Sequence, residues 1–273
     1  MRKISPFEIL FIPLFLLLIV YPVAAIVGNV TLVGIYKTLS DSFFWNSFIN
    51  TILAATFAAL LGVLLAMGFG YYYIFHKSTL MYRLANLTND LPIALPHTVA
   101  GLALLLAFGR KAFGFAGSTG LAFTLFAVSL AMFFVSYPLA SRAIASAIDE
   151  VDRETIDVSR TLGDTPTKAY IRVVIPLIGE ALISALILAF SRSLSEFAAV
   201  IMFGGNVPGA TQVLASYVFT KVEEGEVEMA VTASAICVLL SLSLVLALRL
   251  WNRHMATRRG IRKMKAIPLP GGK

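Results

Sequence analysis

Six long apolar segments are the feature of this 273-residue chain that most restricts its fold. A transmembrane helix needs about 20 mostly apolar residues, whereas the strands of a membrane barrel alternate over about 10 residues. The six segments are continuous and long enough for helices. The sequence therefore predicts an all-α integral membrane protein with a single transmembrane domain over 1–273. Its six transmembrane helices are predicted at roughly 7–27, 47–75, 91–108, 120–138, 177–203 and 229–251.

The composition excludes most other classes of protein. Hydrophobic residues make up 58% of the chain and charged residues only 14%. In a soluble domain, about 45–50% of the residues are apolar and about 25% are charged. The sequence contains no phosphate-binding G-x-x-x-x-G-K-S/T motif and no evident nucleophile–base set. We therefore expect that the chain is not an enzyme.

The distribution of basic residues predicts the orientation of the chain. Seventeen of the 22 Lys and Arg residues fall in segments that are cytoplasmic if both termini are inside. Basic residues favour the cytoplasmic side of a membrane, so we expect a multi-pass protein with both termini in the cytoplasm. The basic tail at 252–273 is predicted to lie against anionic headgroups. We therefore expect no nucleic-acid partner, although the net charge is +7.

The predicted inner loop at 149–176, between the fourth and fifth spans, is too long and too patterned for a simple connection. Asp149 or Asp152 can cap a first short helix. Gly163 can end that helix in a left-handed conformation. A second helix follows and is predicted to end at Pro176.

The first of these helices carries a semi-apolar stripe of Val151, Thr155, Val158 and Leu162, at helical spacing. This pattern has two interpretations. The helix can lie flat on the membrane, or it can dock into a groove on a soluble partner. The spacing alone does not distinguish them.

The stretch DVSRTLGDTPTKAYIRVVIP, at 157–176, resembles the signature loop of the permeases of ATP-binding-cassette (ABC) importers. That loop has an acidic–small–small triplet, usually Glu-Ala-Ala, followed at fixed spacing by Gly and Pro. Asp157, Val158 and Ser159 occupy the triplet, and Gly163 and Pro176 match the later positions. The resemblance implies that the loop couples to a cytoplasmic ATPase. The implied coupling residues are Val151, Thr155, Asp157, Val158, Ser159, Leu162, Gly163 and Pro176.

Two further segments resemble one branch of these permeases. DLPIALPHTVAGLALLLAFG, at 90–109, is similar to a run in molybdate and tungstate permeases. SRSLSEFAAVIMFGG, at 191–205, resembles the Ser-Glu-Phe segment shared by molybdate and sulfate permeases. The chain is thus identified as a member of the oxyanion branch of the ABC importer permeases.

This resemblance implies a type I importer fold in the plasma or inner membrane, with a coupling-helix loop between spans four and five. The expected substrate is molybdate or tungstate, and the alternative within the family is sulfate or thiosulfate. An ion-coupled secondary transporter is the alternative from another class. The implied partners are a second copy of the chain, a cytoplasmic ABC ATPase dimer and an external oxyanion-binding protein. ATP and Mg are expected on the ATPase, with no cofactor on this chain.

Ionisable residues at bilayer depth are candidates for function because they are costly to bury. Arg192 and Glu196 stand one helical turn apart. They can form a structural ion pair, or Arg192 can attract an anion while Glu196 and the adjacent Ser195 set its position. Both roles can hold together.

Pro96, in the third span, is expected to bend that helix near its cytoplasmic end. His97 and Thr98 follow directly and could form an inner gate, although a purely structural kink explains Pro96 equally well. No metal site is expected, because His97 has no His, Cys or carboxylate at ligand spacing.

Overall fold

The computed structural model describes residues 6–266, with side chains described at 10–115, 117–251 and 253. Within these residues the chain is helical, and its only extended pairing is an isolated bridge between Gly109 and Gly120. The basic tail predicted at 252–273 continues the last helix as far as Ala266, and its remaining residues lie outside the described part of the chain.

Sixteen α-helices follow one another along the described chain. They are α1 (Pro6–Phe15), α2 (Tyr21–Gly28), α3 (Leu32–Ser40), α4 (Ser42–Phe75), α5 (Leu80–Asn89), α6 (Leu91–Ala94), α7 (His97–Phe108), α8 (Arg110–Phe113), α9 (Leu125–Asp149), α10 (Arg153–Thr161), α11 (Pro166–Ala169), α12 (Ile175–Leu177), α13 (Gly179–Leu194), α14 (Ala198–Gly204), α15 (Leu214–Glu223) and α16 (Val227–Ala266). Two π-helical turns join α1 to α2 and α11 to α12.

Four continuous helical segments of the described chain are long and apolar enough to cross a membrane. They are Leu10–Gly28, Ser42–Phe75, Leu125–Asp149 and Val227–Trp251, close to the first, second, fourth and sixth predicted spans. The fourth span begins five residues later than predicted, because Thr124 caps α9 by accepting a hydrogen bond from the backbone N–H of Ala127. It also continues eleven residues past its predicted end at 138, with Pro138 inside the helix.

The third and fifth predicted spans are broken. At 91–108, α6 is separated from α7 by extended residues Leu95 and Pro96, since proline lacks an N–H and disfavours helical backbone in the residue before it. At 177–203, α13 ends at Leu194 and α14 starts at Ala198. Six continuous spans were therefore an overestimate, because hydropathy does not detect breaks within an apolar stretch.

The fifth crossing also bends at its other end. The helical segment Pro166–Leu177 meets α13 at an angle of 74°, so that the pair counts as a fifth span only if it is treated as one bent unit. The sequence had predicted that the helix ends at Pro176. Pro176 instead lies inside the last helical turn before this bend. The break follows at Ile178.

The centre of the bundle is formed by α4, α9 and α13. Small side chains on the buried face of α4 allow α9 to approach closely, as in other membrane helix pairs. One apolar core, around Val128, Met132 and Phe203, lies toward the end of the bundle where α7 meets α8, which we call the α8 end. The other core, around Ile144 and Val174, lies toward the α10 end, where α9 leads into α10.

The two short helices α7 and α14 pack directly on each other. Their backbones approach most closely at Gly101, where an added Cβ would lie 2.8 Å from Ala199 Cα and 2.9 Å from Ala199 O. Neither backbone atom can move aside without shifting its helix. The position of the broken third crossing against the broken fifth crossing therefore requires a glycine at 101.

We predict that Gly101→Ala lowers the free energy of unfolding by ~1–3 kcal/mol, the range for overpacking a tightly packed site. Gly68→Ala is the matched control, because an added Cβ there has no neighbour within 4 Å. That control is expected to be neutral or stabilising by about 0.5–1 kcal/mol. Thermal unfolding of the purified protein in detergent measures both. Equal midpoints for Gly101→Ala and the wild type would contradict the close contact.

Candidate functional site

The helix α10 is held by local interactions that the sequence predicted in part. Asp152 is its cap and accepts a hydrogen bond from the Glu154 N–H. Asp149 instead accepts a hydrogen bond from the Tyr73 hydroxyl at the end of α4, which lies 2.6 and 2.7 Å from its two carboxylate oxygens. Gly163 follows the helix with φ +100°, and an added Cβ there would meet nothing within 4 Å. Glycine is required at 163 by backbone conformation alone.

The faces of α10 differ from the predicted stripe. Ile156 and Ser159 are buried against the bundle, so that Ile156 is the apolar anchor that the sequence pattern missed. Val158 and Leu162 are 57% and 83% exposed. Large apolar side chains at such exposure form a surface that can meet a partner.

The remaining predicted coupling residues surround this surface. Thr155, Asp157 and Gly163 are exposed beside it, and Pro176 is exposed at the end of the loop. Val151 precedes α10 and packs, partly buried, against the core at the α10 end. The structure thus leaves most of the predicted residues exposed around this surface. Ser159 and Val151 instead pack toward the bundle.

A carboxylate that the sequence did not single out fastens the loop together. Asp164 accepts a hydrogen bond from the Ser159 hydroxyl at 2.9 Å and another from Arg172 Nη1 at 3.2 Å. It therefore ties α10 to the π-helical turn that leads into α12. The same turn is anchored to the bundle, because the Tyr170 hydroxyl donates to the backbone oxygen of Met67 at 2.6 Å.

A second polar site lies where the two broken crossings meet. Arg192 Nη2 lies 3.2 Å from Glu196 Oε2 and 2.9 Å from His97 Nε2. His97 Nδ1 lies 3.1 Å from the same Glu196 oxygen, and Arg192 Nη1 donates to the Ser195 hydroxyl at 3.0 Å. The predicted Arg192–Glu196 pair is present, and His97 joins it from α7.

Glu196 is fully buried, whereas the side chains of Arg192 and His97 are 24% and 39% exposed. Glu196 Oε1 also accepts a hydrogen bond from the backbone N–H of Ala199 at 3.0 Å. The carboxylate thus bridges the break between α13 and α14 and also holds the Arg192 guanidinium. Ser195 and Thr98, which are neighbours of Glu196 and His97 in the sequence, are exposed.

The His97 ring lies against both charged partners. Arg192 Nη2 lies 2.9 Å from Nε2 and 3.3 Å from Nδ1, and Nδ1 lies 3.1 Å from the Glu196 carboxylate.

The cluster lies in the middle of the bundle, whereas the sequence placed Pro96 and His97 near the cytoplasmic end. The far end of α7, Phe108, accepts a hydrogen bond from the Leu121 N–H near the start of α9. At a rise of 1.5 Å per residue, α7 places His97 about 18 Å from the α8 end. This distance is about half the length of α9, which is about 37 Å. The helix α6 and the extended residues Leu95 and Pro96 occupy the part of the third crossing before α7, so that α7 starts only at His97.

Comparison with known proteins identifies the family. Residues 60–261 match the family described as "Binding-protein-dependent transport system inner membrane component". The chain is 28% identical to the probable transport system permease protein NifC of Clostridium pasteurianum over 91% of this chain and 88% of NifC. It is 29% identical to the sulfate transport system permease protein CysT of Escherichia coli over 85% of this chain and 81% of CysT.

The fold is also found in a solved structure. A bacterial ABC transporter involved in the import of the acidic polysaccharide alginate matches with a TM-score of 0.69 and 14% identity, over 91% of this chain and 92% of that chain. At this identity the likeness shows the fold alone. The match over 60–261 shows the family: the chain belongs to the inner membrane components of binding-protein-dependent transport systems, the membrane permeases of ABC importers.

Proposed function

We propose that this permease is the membrane subunit of an importer for a tetrahedral oxyanion of the sulfate class. The observation that carries the substrate class is the similarity to CysT, which is named a sulfate permease. The sequence had favoured molybdate or tungstate and kept sulfate as the alternative. The named relatives support the alternative, because none of those compared above is named for molybdate or tungstate. The family assignment argues against an ion-coupled secondary transporter.

We propose that the polar cluster of His97, Arg192, Ser195 and Glu196 lies on the permeation path, with Pro96 and Thr98 at its rim. Arg192 supplies positive charge and remains partly exposed. The start of α7 lies beside it, and a helix N-terminus favours an anion. The buried Glu196 carboxylate holds the guanidinium through a hydrogen bond from Arg192. The remaining N–H donors of Arg192 can then bind a passing oxyanion.

The partners follow from the family and from the surface of α10. Transport systems of this family depend on a binding protein, which we propose delivers the oxyanion from outside. A cytoplasmic ATPase dimer, carrying ATP and Mg, is proposed to receive the exposed apolar side chains Val158 and Leu162. A second copy of this chain is proposed to complete the pore. The permease itself is a transport subunit and not an enzyme.

Uptake by the reconstituted importer tests the substrate. The permease, its ATPase and its binding protein are placed in vesicles with ATP inside, and radiolabelled sulfate is added outside. We expect ATP-dependent sulfate uptake that excess unlabelled sulfate competes more strongly than excess molybdate does. Omitting the binding protein is the control and should abolish uptake. Uptake of molybdate that sulfate does not compete would return the assignment to the molybdate branch.

Paired substitutions separate the structural role of the cluster from its transport role. Glu196→Gln leaves Arg192 without its counter-charge and should lower the free energy of unfolding by about 3 kcal/mol, at the low end for a buried pair because Arg192 is partly exposed. Arg192→Gln combined with Glu196→Gln should recover most of that stability without recovering sulfate uptake. Thermal unfolding and uptake rates measure the two effects.

The exposed Glu223→Gln is the control for these measurements and should change neither stability nor uptake. If the double variant transports sulfate at the wild-type rate, Arg192 has only a structural role.

Substitution of Gly163 tests coupling. Gly163→Val forces a β-branched residue into φ +100°, a conformation of high cost for any side chain with a Cβ. Stimulation of ATP hydrolysis by the loaded binding protein should fall at least tenfold in the assembled importer, while membrane insertion stays normal. Gly179→Ala is the matched control, because an added Cβ there also meets nothing within 4 Å and its φ is ordinary. Normal stimulation in Gly163→Val would remove the loop from the coupling role.

A further inference from the structure

The polar cluster of His97, Arg192 and Glu196 has no net charge as long as His97 is neutral. Arg192 brings one positive charge and Glu196 one negative charge, and Arg192 Nη2 lies 3.2 Å from Glu196 Oε2. The buried carboxylate therefore offsets much of the attraction that Arg192 offers to an anion. A sulfate ion, which carries two negative charges near neutral pH, is not balanced by this cluster unless His97 becomes charged.

The ring of His97 can keep only one of its two contacts when it takes up a proton. In the structure it lies 2.9 Å from Arg192 Nη2 and 3.1 Å from Glu196 Oε2. Arginine has only hydrogen-bond donors, so the ring must offer it a lone pair, as a neutral imidazole can. A protonated imidazole has two N–H donors and no lone pair. It therefore suits the Glu196 carboxylate but not the Arg192 guanidinium.

Protonation of His97 creates a place for a hydrogen-bond acceptor. The N–H groups of the ring and of Arg192 then face each other without an acceptor between them. Glu196 already accepts from Arg192 with one oxygen and from the Ala199 N–H with the other. An oxygen of a tetrahedral oxyanion has the lone pairs and the negative charge to accept from both cationic groups.

Arg192 and Glu196 are the charged side chains that contact His97 within the described part of the chain. The helix α14 packs on α7 and has no ionisable side chain. The helix α9 also contacts α7, and its charged side chains have other partners: Arg142 pairs with Asp90, and Asp149 with Tyr73. The charges of α8 are at the opposite end of α7 from His97, at Arg110 and Lys111.

The surroundings of His97 act in both directions on its protonation. Arg192 and the positive end of α7, which begins at His97, oppose a positive charge on the ring. Glu196 favours that charge. A dianion bound beside the ring adds two negative charges and shifts the balance toward the protonated form. The net charge of the cluster then changes from zero to one positive charge.

We propose that His97 takes up a proton when the oxyanion binds, and that Arg192 and the protonated ring hold one oxygen of the anion between them. The inference rests on the proposed oxyanion transport and deepens it. The proton comes from water as the anion enters and returns to water as the anion leaves, and no covalent bond forms. The His97 side chain is 39% exposed within one chain, so that the ring is not sealed in the core.

This linkage makes the charge of the anion a basis for selection. A dianion favours the protonated ring more strongly than a monoanion does, because its charge is twice as large. Linked equilibria are reciprocal, so a lower pH must raise the affinity for the oxyanion. For one proton the affinity changes by at most about tenfold per pH unit.

Proton uptake on sulfate binding tests the proposal directly. The assembled complex of permease and ATPase in nanodiscs is mixed with sodium sulfate at neutral pH, in weak buffer with a pH-indicator dye. Sodium chloride of equal ionic strength is the blank. We expect the wild type to take up protons and His97→Gln to take up none. His76→Gln is the matched control and should behave as the wild type, because His76 packs on Tyr71 and Tyr72 near the end of α4.

A comparison of anions extends the test to the unaltered protein. Perchlorate is tetrahedral like sulfate but carries one negative charge, so it should cause much less proton uptake than sulfate at equal occupancy. This comparison does not depend on the folding of any variant. Equal proton uptake with the two anions would contradict selection by charge.

The affinity for sulfate at different pH values provides an independent measurement. Stabilisation of the same complex against thermal unfolding by sulfate, relative to chloride, reports the affinity. We expect the affinity of the wild type to rise at least about fivefold from pH 8 to pH 6, within the limit for one proton. The affinity of His97→Gln should stay constant over this range, while His76→Gln should follow the wild type.

The outcomes distinguish the role of His97 from the choice of substrate. Sulfate binding without proton uptake, or proton uptake that persists in His97→Gln, overturns the role of His97 and leaves the sulfate assignment intact. If molybdate binds instead of sulfate and its binding takes up a proton through His97, the sulfate assignment fails and the role of His97 stands. If neither dianion stabilises the complex, the cluster is not an anion site and the inference fails.

Discussion

The buried carboxylate of Glu196 is the interaction on which the arrangement of the membrane helices depends. It accepts hydrogen bonds from the first turn of α14 and from Arg192 at the end of α13, and it lies 3.1 Å from His97 Nδ1 at the start of α7. Three helix ends thus meet at one side chain that has no exposure. The backbone groups freed at these breaks are costly in an apolar environment unless they are satisfied. Glu196 satisfies one of them and fixes the polar site at the same time.

Sequence reasoning succeeded for features that are local along the chain. Hydropathy located four continuous spans, and side-chain chemistry predicted the left-handed glycine after α10 at 163. It failed at the third and fifth crossings, because a broken helix retains the hydropathy of an unbroken one. Those breaks are stabilised by contacts such as His97 with Arg192, which are 95 residues apart.

The same limit explains the residues that were missed. Arg142 and Asp90 are 52 residues apart, and neither stands out in the sequence until the fold brings them into contact. Ile156 was overlooked because the buried face of a short helix is chosen by its neighbours, here the bundle beneath α10. Asp164 has its role only because Ser159 and Arg172 both turn toward it.

The 74° bend between Pro166–Leu177 and α13 acts as an elbow. Arg192 lies thirteen residues beyond the start of α13, at the end of an arm of about 20 Å. A rotation of only about 10° at the elbow moves this end by about 3 Å, as much as the length of the hydrogen bond between Arg192 and His97. The short arm is fastened to α10 through Asp164 and to α4 through Tyr170. A change of angle at this bend would therefore link the position of the loop to the contacts of the polar cluster.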